Sequence, residues 1–126
     1  MKLKNLMIIY AIVCLGFGIP VLLIPDKISP LFGMYLDSGG ILMARLYGGA
    51  LLANFLVAWF SRNDTGSISL YAVVLYIFVY NSINFFVALW ATIAGIAGLT
   101  GFSIVAIYLF FAVGYGFVLL SKLKIT

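Results

Sequence analysis

The sequence predicts an all-α fold, a four-helix bundle that is embedded in a membrane. Of its 126 residues, 66% are hydrophobic and 8% are charged, whereas a soluble domain is about half apolar and one quarter charged. The mean hydropathy is +1.27, so the chain has too little polar surface to cover a globule in water. Several apolar runs are close to the roughly 20 residues that a helix needs to cross a bilayer.

We interpret the chain, residues 1–126, as a single integral membrane domain with four spans. Lys2 and Lys4 precede the first span, and Pro20 and Pro25 mark its end. This basic start followed by an apolar stretch is also typical of a signal peptide, but no small-x-small cleavage site precedes a polar region, so we expect an uncleaved helix. The predicted spans are about residues 6–24, 41–60, 68–90 and 102–120.

The connections between the spans differ in length and charge. Residues 25–40 form the longest one and contain Asp26 and Asp37, two of the three acidic residues. Residues 61–67 are turn-like, and residues 91–101 carry no charge, which predicts a helix end followed by a tight turn.

Lysine and arginine predict the orientation, because cytoplasmic loops of membrane proteins carry an excess of both. The side that holds Lys27, with Arg45 just inside the membrane, has few of them. We therefore expect a protein of the inner, cytoplasmic membrane with both termini in the cytoplasm. The basic residues on the terminal side are Lys2, Lys4, Arg62, Lys122 and Lys124.

Arg45 lies inside the apolar stretch "ILMARLYGGALLANFLVAWF", about 6 Å along the predicted helix from Ile41. A charge at the bilayer centre costs at least about 2.5 kcal/mol on insertion scales, but near a helix end a long side chain reaches the interface and the cost falls. One interpretation is an ion pair with Asp37 or Asp26 that fixes the long connection over the bundle.

The second interpretation of Arg45 is a ligand-binding site. Asn81 and Asn84 share one face of the third span, and Asn84 is expected near the depth of Arg45. Together with Asp37 they form the predicted site. Because a guanidinium binds phosphate or carboxylate through two hydrogen bonds, the expected ligand is an anionic headgroup or a small polar molecule.

Other polar residues inside the spans have a packing interpretation beside a functional one. Asn54 and Asn81 are predicted to hydrogen-bond across helices. Tyr76 and Tyr80 share a helical face and are predicted to pack or hydrogen-bond in the bundle, with a cavity lining as the alternative.

Small residues recur at four-residue spacing along the second span. The pairs are Ala44 with Gly48 and Gly49 with Ala53. Such rows let helix backbones approach closely, which supports an intramolecular bundle first and a homo-oligomer or a membrane-protein partner second.

The composition excludes much chemistry. The chain has no histidine or glutamate and a single cysteine, Cys14, which argues against a histidine-ligated haem, a histidine-rich metal site and an internal disulfide. No carboxylate lies within a predicted span, which disfavours a proton-coupled exporter. We see no nucleophile–base pair and no basic stripe, and so expect no enzyme, no cofactor and no binding of nucleic acid.

The stretch "IPVLLIPDKISPLFGMYLDSGG", followed by "MARLYGG", resembles DoxX-like and related small four-span bacterial membrane proteins. The resemblance covers the first half of the chain and implies a compact four-helix bundle in the cytoplasmic membrane. The matching positions are Pro25, Gly33, Arg45, Gly48 and Gly49.

These observations predict a non-enzymatic accessory or scaffold protein that packs against a membrane partner, a second copy or lipid. The alternative is a small oligomeric transporter or channel for a polar or anionic ligand. A polar path would require Asn54 and Asn84 to face one cavity, whereas an accessory protein would present a row of small residues on its outer surface.

Overall fold

The computed structural model describes residues 2–64 and 66–121, and within these ranges it is all-α and contains no strand. Four long helices dominate the fold. The connection between the first two of them holds a one-turn helix and a 3₁₀ helix. In chain order the elements are α1 (Leu3–Leu23), α2 (Pro25–Ile28), a 3₁₀ helix (Ser29–Phe32), α3 (Ser38–Ser61), α4 (Ile68–Ile93) and α5 (Gly101–Ser121).

The four long helices have the length and composition to cross a membrane. Their ends lie within three residues of the predicted spans. Helix α1 runs through Pro20 and ends three residues later, while Pro25 occupies the first turn of α2, where its missing N–H costs no hydrogen bond.

Local hydrogen bonds determine where α3 begins and ends. The Asp37 carboxylate accepts a bond from the Gly40 N–H at 2.7 Å and so caps the N-terminus. At the other end, Arg62 Nη1 donates to the Trp59 carbonyl at 2.5 Å, and the guanidinium lies 3.8 Å from the centre of the Trp59 ring. A positive charge at a helix C-terminus is favourable because it faces the negative end of the helix dipole.

The long helices form two closely packed pairs, α1 with α3 and α4 with α5. Glycines make this proximity possible. A Cβ added to Gly48 would lie 2.6 Å from the Leu22 backbone nitrogen, and one added to Gly116 would lie 2.9 Å from the Phe78 ring. Part of the predicted row of small residues therefore serves packing within the chain.

Large side chains fill the space between the two pairs near the chain termini. The Tyr10 ring packs edge-on against the Phe111 ring at 4.8 Å and the Tyr115 ring at 5.8 Å between centroids. The Tyr115 hydroxyl donates to the Met7 sulfur at 3.5 Å. We call this end of the bundle the terminal half. The opposite end, covered by residues 24–37, is the cap half, and those residues are the cap.

Candidate functional site

Two of the predicted site residues, Asp37 and Arg45, lie at the start of α3 and within its first half. Arg45 is exposed, seven residues and about 10 Å along the helix from Ser38. The Asp37 carboxylate is engaged as the N-cap of the same helix through the Gly40 N–H. The structure thus gives Asp37 a defined structural role.

The two predicted asparagines on α4 also differ from each other. Asn81 is 1% exposed, and its Nδ2 donates to the Ile77 carbonyl one turn earlier at 2.7 Å. Asn84 is half-buried on the same helix. Of the four predicted site residues, Asn81 is the one that lines the cavity described below.

Asn54 forms the cross-helix hydrogen bonds that the sequence predicts for it. Its Nδ2 donates to the Tyr10 hydroxyl on α1 at 3.3 Å, and its Oδ1 accepts a bond from the Tyr76 hydroxyl on α4. Asn54 is 2% exposed. Both ends of this buried amide have partners, so the residue joins three helices and stabilises their packing.

A cavity of about 210 Å³ lies between the two helix pairs in the cap half. Every long helix contributes to its wall, and so does the cap. The lining is almost entirely apolar, which is typical of small-molecule sites. Its residues are Tyr10, Val13, Cys14, Phe17, Val21, Pro25, Ile28, Ser29, Phe32, Met34, Leu36, Ala44, Tyr47, Leu51, Tyr80, Asn81, Ile104, Ile107, Tyr108 and Phe111.

Two buried hydroxyls in this lining have no hydrogen-bond partner among the described residues. They are Ser29 Oγ in the cap and the Tyr80 hydroxyl on α4. A buried hydroxyl without a partner costs about 1–3 kcal/mol, so most buried polar groups in proteins have one. Both hydroxyls are therefore polar groups whose burial lowers the stability of the fold.

A third polar feature is a pair of tyrosines. The hydroxyls of Tyr47 on α3 and Tyr108 on α5 are hydrogen-bonded to each other across the two helix pairs. The Tyr80 hydroxyl lies close to both but outside hydrogen-bonding geometry. The polar groups of the cavity therefore converge from three helices.

The cap is held in place by contacts with the connection between α4 and α5. The Gly98 N–H donates to the Phe32 carbonyl at 2.7 Å, and the Thr100 hydroxyl donates to the Leu31 carbonyl at 2.7 Å. Gly33 has a φ of +75°, and a Cβ there would lie 2.8 Å from the Gly98 nitrogen. A side chain at Gly33 would be strained by its backbone conformation and by this contact.

Sequence reasoning found part of this site. The prediction that Tyr76 and Tyr80 share a helical face is confirmed, since their rings lie 6.0 Å apart. One of them hydrogen-bonds in the bundle and the other lines the cavity. Ser29 and Tyr108 were missed, because no spacing rule connects a loop serine to a tyrosine that lies 79 residues later in the sequence.

The positions of Asn54 and Asn84 bear on the alternative prediction, a transporter or channel. A polar path requires Asn54 and Asn84 in one cavity, but neither belongs to the lining, and Asn54 has its own hydrogen-bond partners.

The part of the chain that the structure describes contains no cluster of histidine, cysteine or acidic side chains that could hold a metal ion.

No family model matches the chain, and no curated protein and no solved structure matches it. The resemblance to DoxX-like proteins therefore rests on the sequence positions alone.

Proposed function

We propose that this chain is a non-enzymatic protein of the cytoplasmic membrane that holds a small, neutral, largely apolar molecule between its two helix pairs. One observation carries the proposal: a cavity of about 210 Å³ whose described lining is almost entirely apolar. The distribution of lysine and arginine supports cytoplasmic termini.

The size and lining of the cavity support this kind of ligand. An engineered apolar cavity of about 150 Å³ is large enough to bind benzene, and the cavity here is larger, at about 210 Å³. The described residues that line it include no carboxylate, ammonium or guanidinium group. A charged ligand would be buried there without a counter-charge, which is costly.

The chain carries its own reporter for binding, because Cys14 is the single cysteine and its side chain lines the cavity. The protein in lipid nanodiscs is treated with N-ethylmaleimide, and intact-mass spectrometry follows the alkylation of Cys14. We expect cumene, an apolar ring probe, to slow this reaction in a saturable manner. Alkylation that cumene does not slow would contradict the proposal.

A cavity-filling substitution provides the control. Ala44 lines the cavity, and Ala44→Leu places three more carbon atoms at that position. We expect this variant to lose the protection by cumene while its thermal stability in detergent is kept. Equal protection in the variant would show that cumene acts elsewhere, for example on the bilayer.

A second candidate function, an accessory subunit, is favoured by the outer surface of α3. Ala50 and Ala53 are exposed, and the Cβ position of Gly49 has nothing within 4 Å. This is the outward row of small residues that an accessory protein would present to a partner or to a second copy.

Native mass spectrometry of gently extracted protein tests the accessory function. We expect a stoichiometric partner or a homo-oligomer that Gly49→Leu disrupts. Ala72→Leu, at an exposed position on α4, is the matched control. A monomer in every sample would leave the cavity as the sole basis for a function.

A further inference from the structure

Aromatic rings from four different elements contribute to the wall of the cavity. They belong to Phe17 on α1, Phe32 in the 3₁₀ helix of the cap, Tyr47 on α3 and Tyr108 on α5. Within residues 2–64 and 66–121, none of these four rings packs against another aromatic ring. The cavity is therefore bordered by rings that have no ring partner.

The other rings of the lining are already paired. Tyr10 and Phe111 pack edge-on against each other, with 4.8 Å between their ring centroids, and both lie close to the Tyr115 ring. The Tyr80 ring lies 6.0 Å from the Tyr76 ring. Edge-to-face and offset ring pairs are more stable than the buried area alone accounts for. A ligand ring in the cavity would provide this contact to the rings that lack it.

The two unpaired tyrosines contribute mainly ring surface to the wall. The hydroxyls of Tyr47 and Tyr108 are hydrogen-bonded to each other, and the lining as a whole is almost entirely apolar. Contact with these residues therefore requires no polar group on the ligand.

The membrane determines why the rings matter. The four long helices have the length and composition to cross a bilayer, and the lipid tails around them are as apolar as an aliphatic side chain. A molecule that moves from the bilayer into an apolar cavity therefore gains little from the hydrophobic effect. Its preference for the cavity must come from packing and from contacts that lipid tails do not offer, and ring–ring contact is one of these.

We propose that the molecule held in the cavity contains an aromatic ring, which packs edge-on or offset against the rings of Phe17, Phe32, Tyr47 and Tyr108. This inference deepens the proposed function and rests on it. The rings select an aromatic molecule over a saturated one of the same carbon skeleton, and so over the lipid tails themselves.

Two volatile probes test the inference, cumene and isopropylcyclohexane, which share a carbon skeleton and differ in the aromaticity of the ring. Headspace gas chromatography measures the free probe above nanodiscs with and without the protein, and its concentration dependence gives a dissociation constant for each probe. The nanodiscs without protein correct for partitioning into lipid. We expect cumene to bind about fivefold more tightly than isopropylcyclohexane, which is the effect of about one ring–ring contact.

Phe17→Leu removes one ring and keeps the wall apolar. We expect it to lower the preference for cumene to about twofold and to leave the binding of isopropylcyclohexane within about twofold, which also shows that the variant is folded. Val13→Ala is the matched control, because it enlarges the same wall on α1 without removing a ring. We expect the control to keep the fivefold preference.

The outcomes separate the two proposals. If isopropylcyclohexane binds as tightly as cumene or more tightly, or if Val13→Ala lowers the preference as much as Phe17→Leu does, the aromatic inference is overturned while the proposed function stands. If nanodiscs with the wild-type protein retain no more of either probe than nanodiscs with the cavity-filled Ala44→Leu variant, both proposals are overturned.

Discussion

The terminal half and the cap half of this bundle contain the same kinds of side chain, but these side chains have different roles in the two halves. In the terminal half, Asn54 engages the hydroxyls of Tyr10 and Tyr76, and aromatic rings fill the space. In the cap half, the hydroxyls of Tyr80 and Ser29 are buried beside a cavity and have no hydrogen-bond partner within residues 2–64 and 66–121. Burial of a tyrosine is thus no guide to its role, whereas the presence or absence of a hydrogen-bond partner is.

The two halves also differ in how their packing affects the stability of the fold. A filled, fully hydrogen-bonded region stabilises the fold. A cavity and unpartnered hydroxyls lower stability, so the cap half is expected to gain stability when a molecule occupies it. Substitutions in both halves test this contrast.

The largest effect is expected at the close contact of Gly48 on α3 with Leu22 on α1. In Gly48→Ala the new Cβ would meet the Leu22 backbone nitrogen at 2.6 Å. Because backbone must move, we expect the free energy of unfolding to fall by about 3 kcal/mol. Unfolding in mixed detergent micelles measures this. Gly49→Ala is the control, since nothing lies within 4 Å of its Cβ position. Equal losses in both variants would contradict the close packing of α1 and α3.

The second effect concerns the attachment of the cap. Gly33→Ala forces a side chain onto a residue with φ of +75° and against the Gly98 nitrogen. We expect a loss of about 2 kcal/mol, since the left-handed conformation alone costs about 1–2 kcal/mol outside glycine. We also expect faster alkylation of Cys14, because a loosened cap opens the cavity. Gly98→Ala, whose Cβ would make an ordinary contact at 3.5 Å, is the control. An alkylation rate equal to that of the wild type would show that the cap does not limit access.

The third test compares the two polar clusters directly. Asn54→Leu leaves the hydroxyls of Tyr10 and Tyr76 without their partner, so we expect a loss of about 1.5 kcal/mol. Tyr80→Phe removes a hydroxyl that has no partner in the described structure, so we expect unchanged or higher stability. Thermal unfolding in detergent, followed by tryptophan fluorescence, provides the measurement. A larger loss for Tyr80→Phe than for Asn54→Leu would refute the contrast between the halves.

The smallest effect distinguishes the cap role of Asp37 from an ion pair with Arg45. Asparagine is as good an N-cap as aspartate, so Asp37→Asn keeps the bond to Gly40 and removes the charge. We expect Asp37→Ala to cost about 1 kcal/mol and Asp37→Asn to be nearly neutral. If Asp37→Asn and Arg45→Ala instead destabilise the protein equally, the ion pair predicted from the sequence is present after all.

The all-α class and the four apolar helices follow from the amino-acid sequence, because hydropathy and helix length depend on neighbouring residues only. It also predicted the cross-helix role of Asn54, since a buried amide in an apolar helix needs a partner on another helix. From the sequence, Asp37 is assigned to the ligand-binding site or to an ion pair with Arg45. In the structure, its carboxylate accepts a hydrogen bond from the nearby Gly40 N–H.

Which polar residues meet depends on the tertiary structure. Tyr47, Tyr80 and Tyr108 come from three helices, and Ser29 comes from the cap, so their proximity depends on how the two helix pairs pack. It also decided which glycines are packed, as Gly48 touches α1 while Gly49, its neighbour, points into open space. The physical reason is that packing and cavity shape depend on contacts between residues far apart in the chain, which the local pattern of residues does not determine.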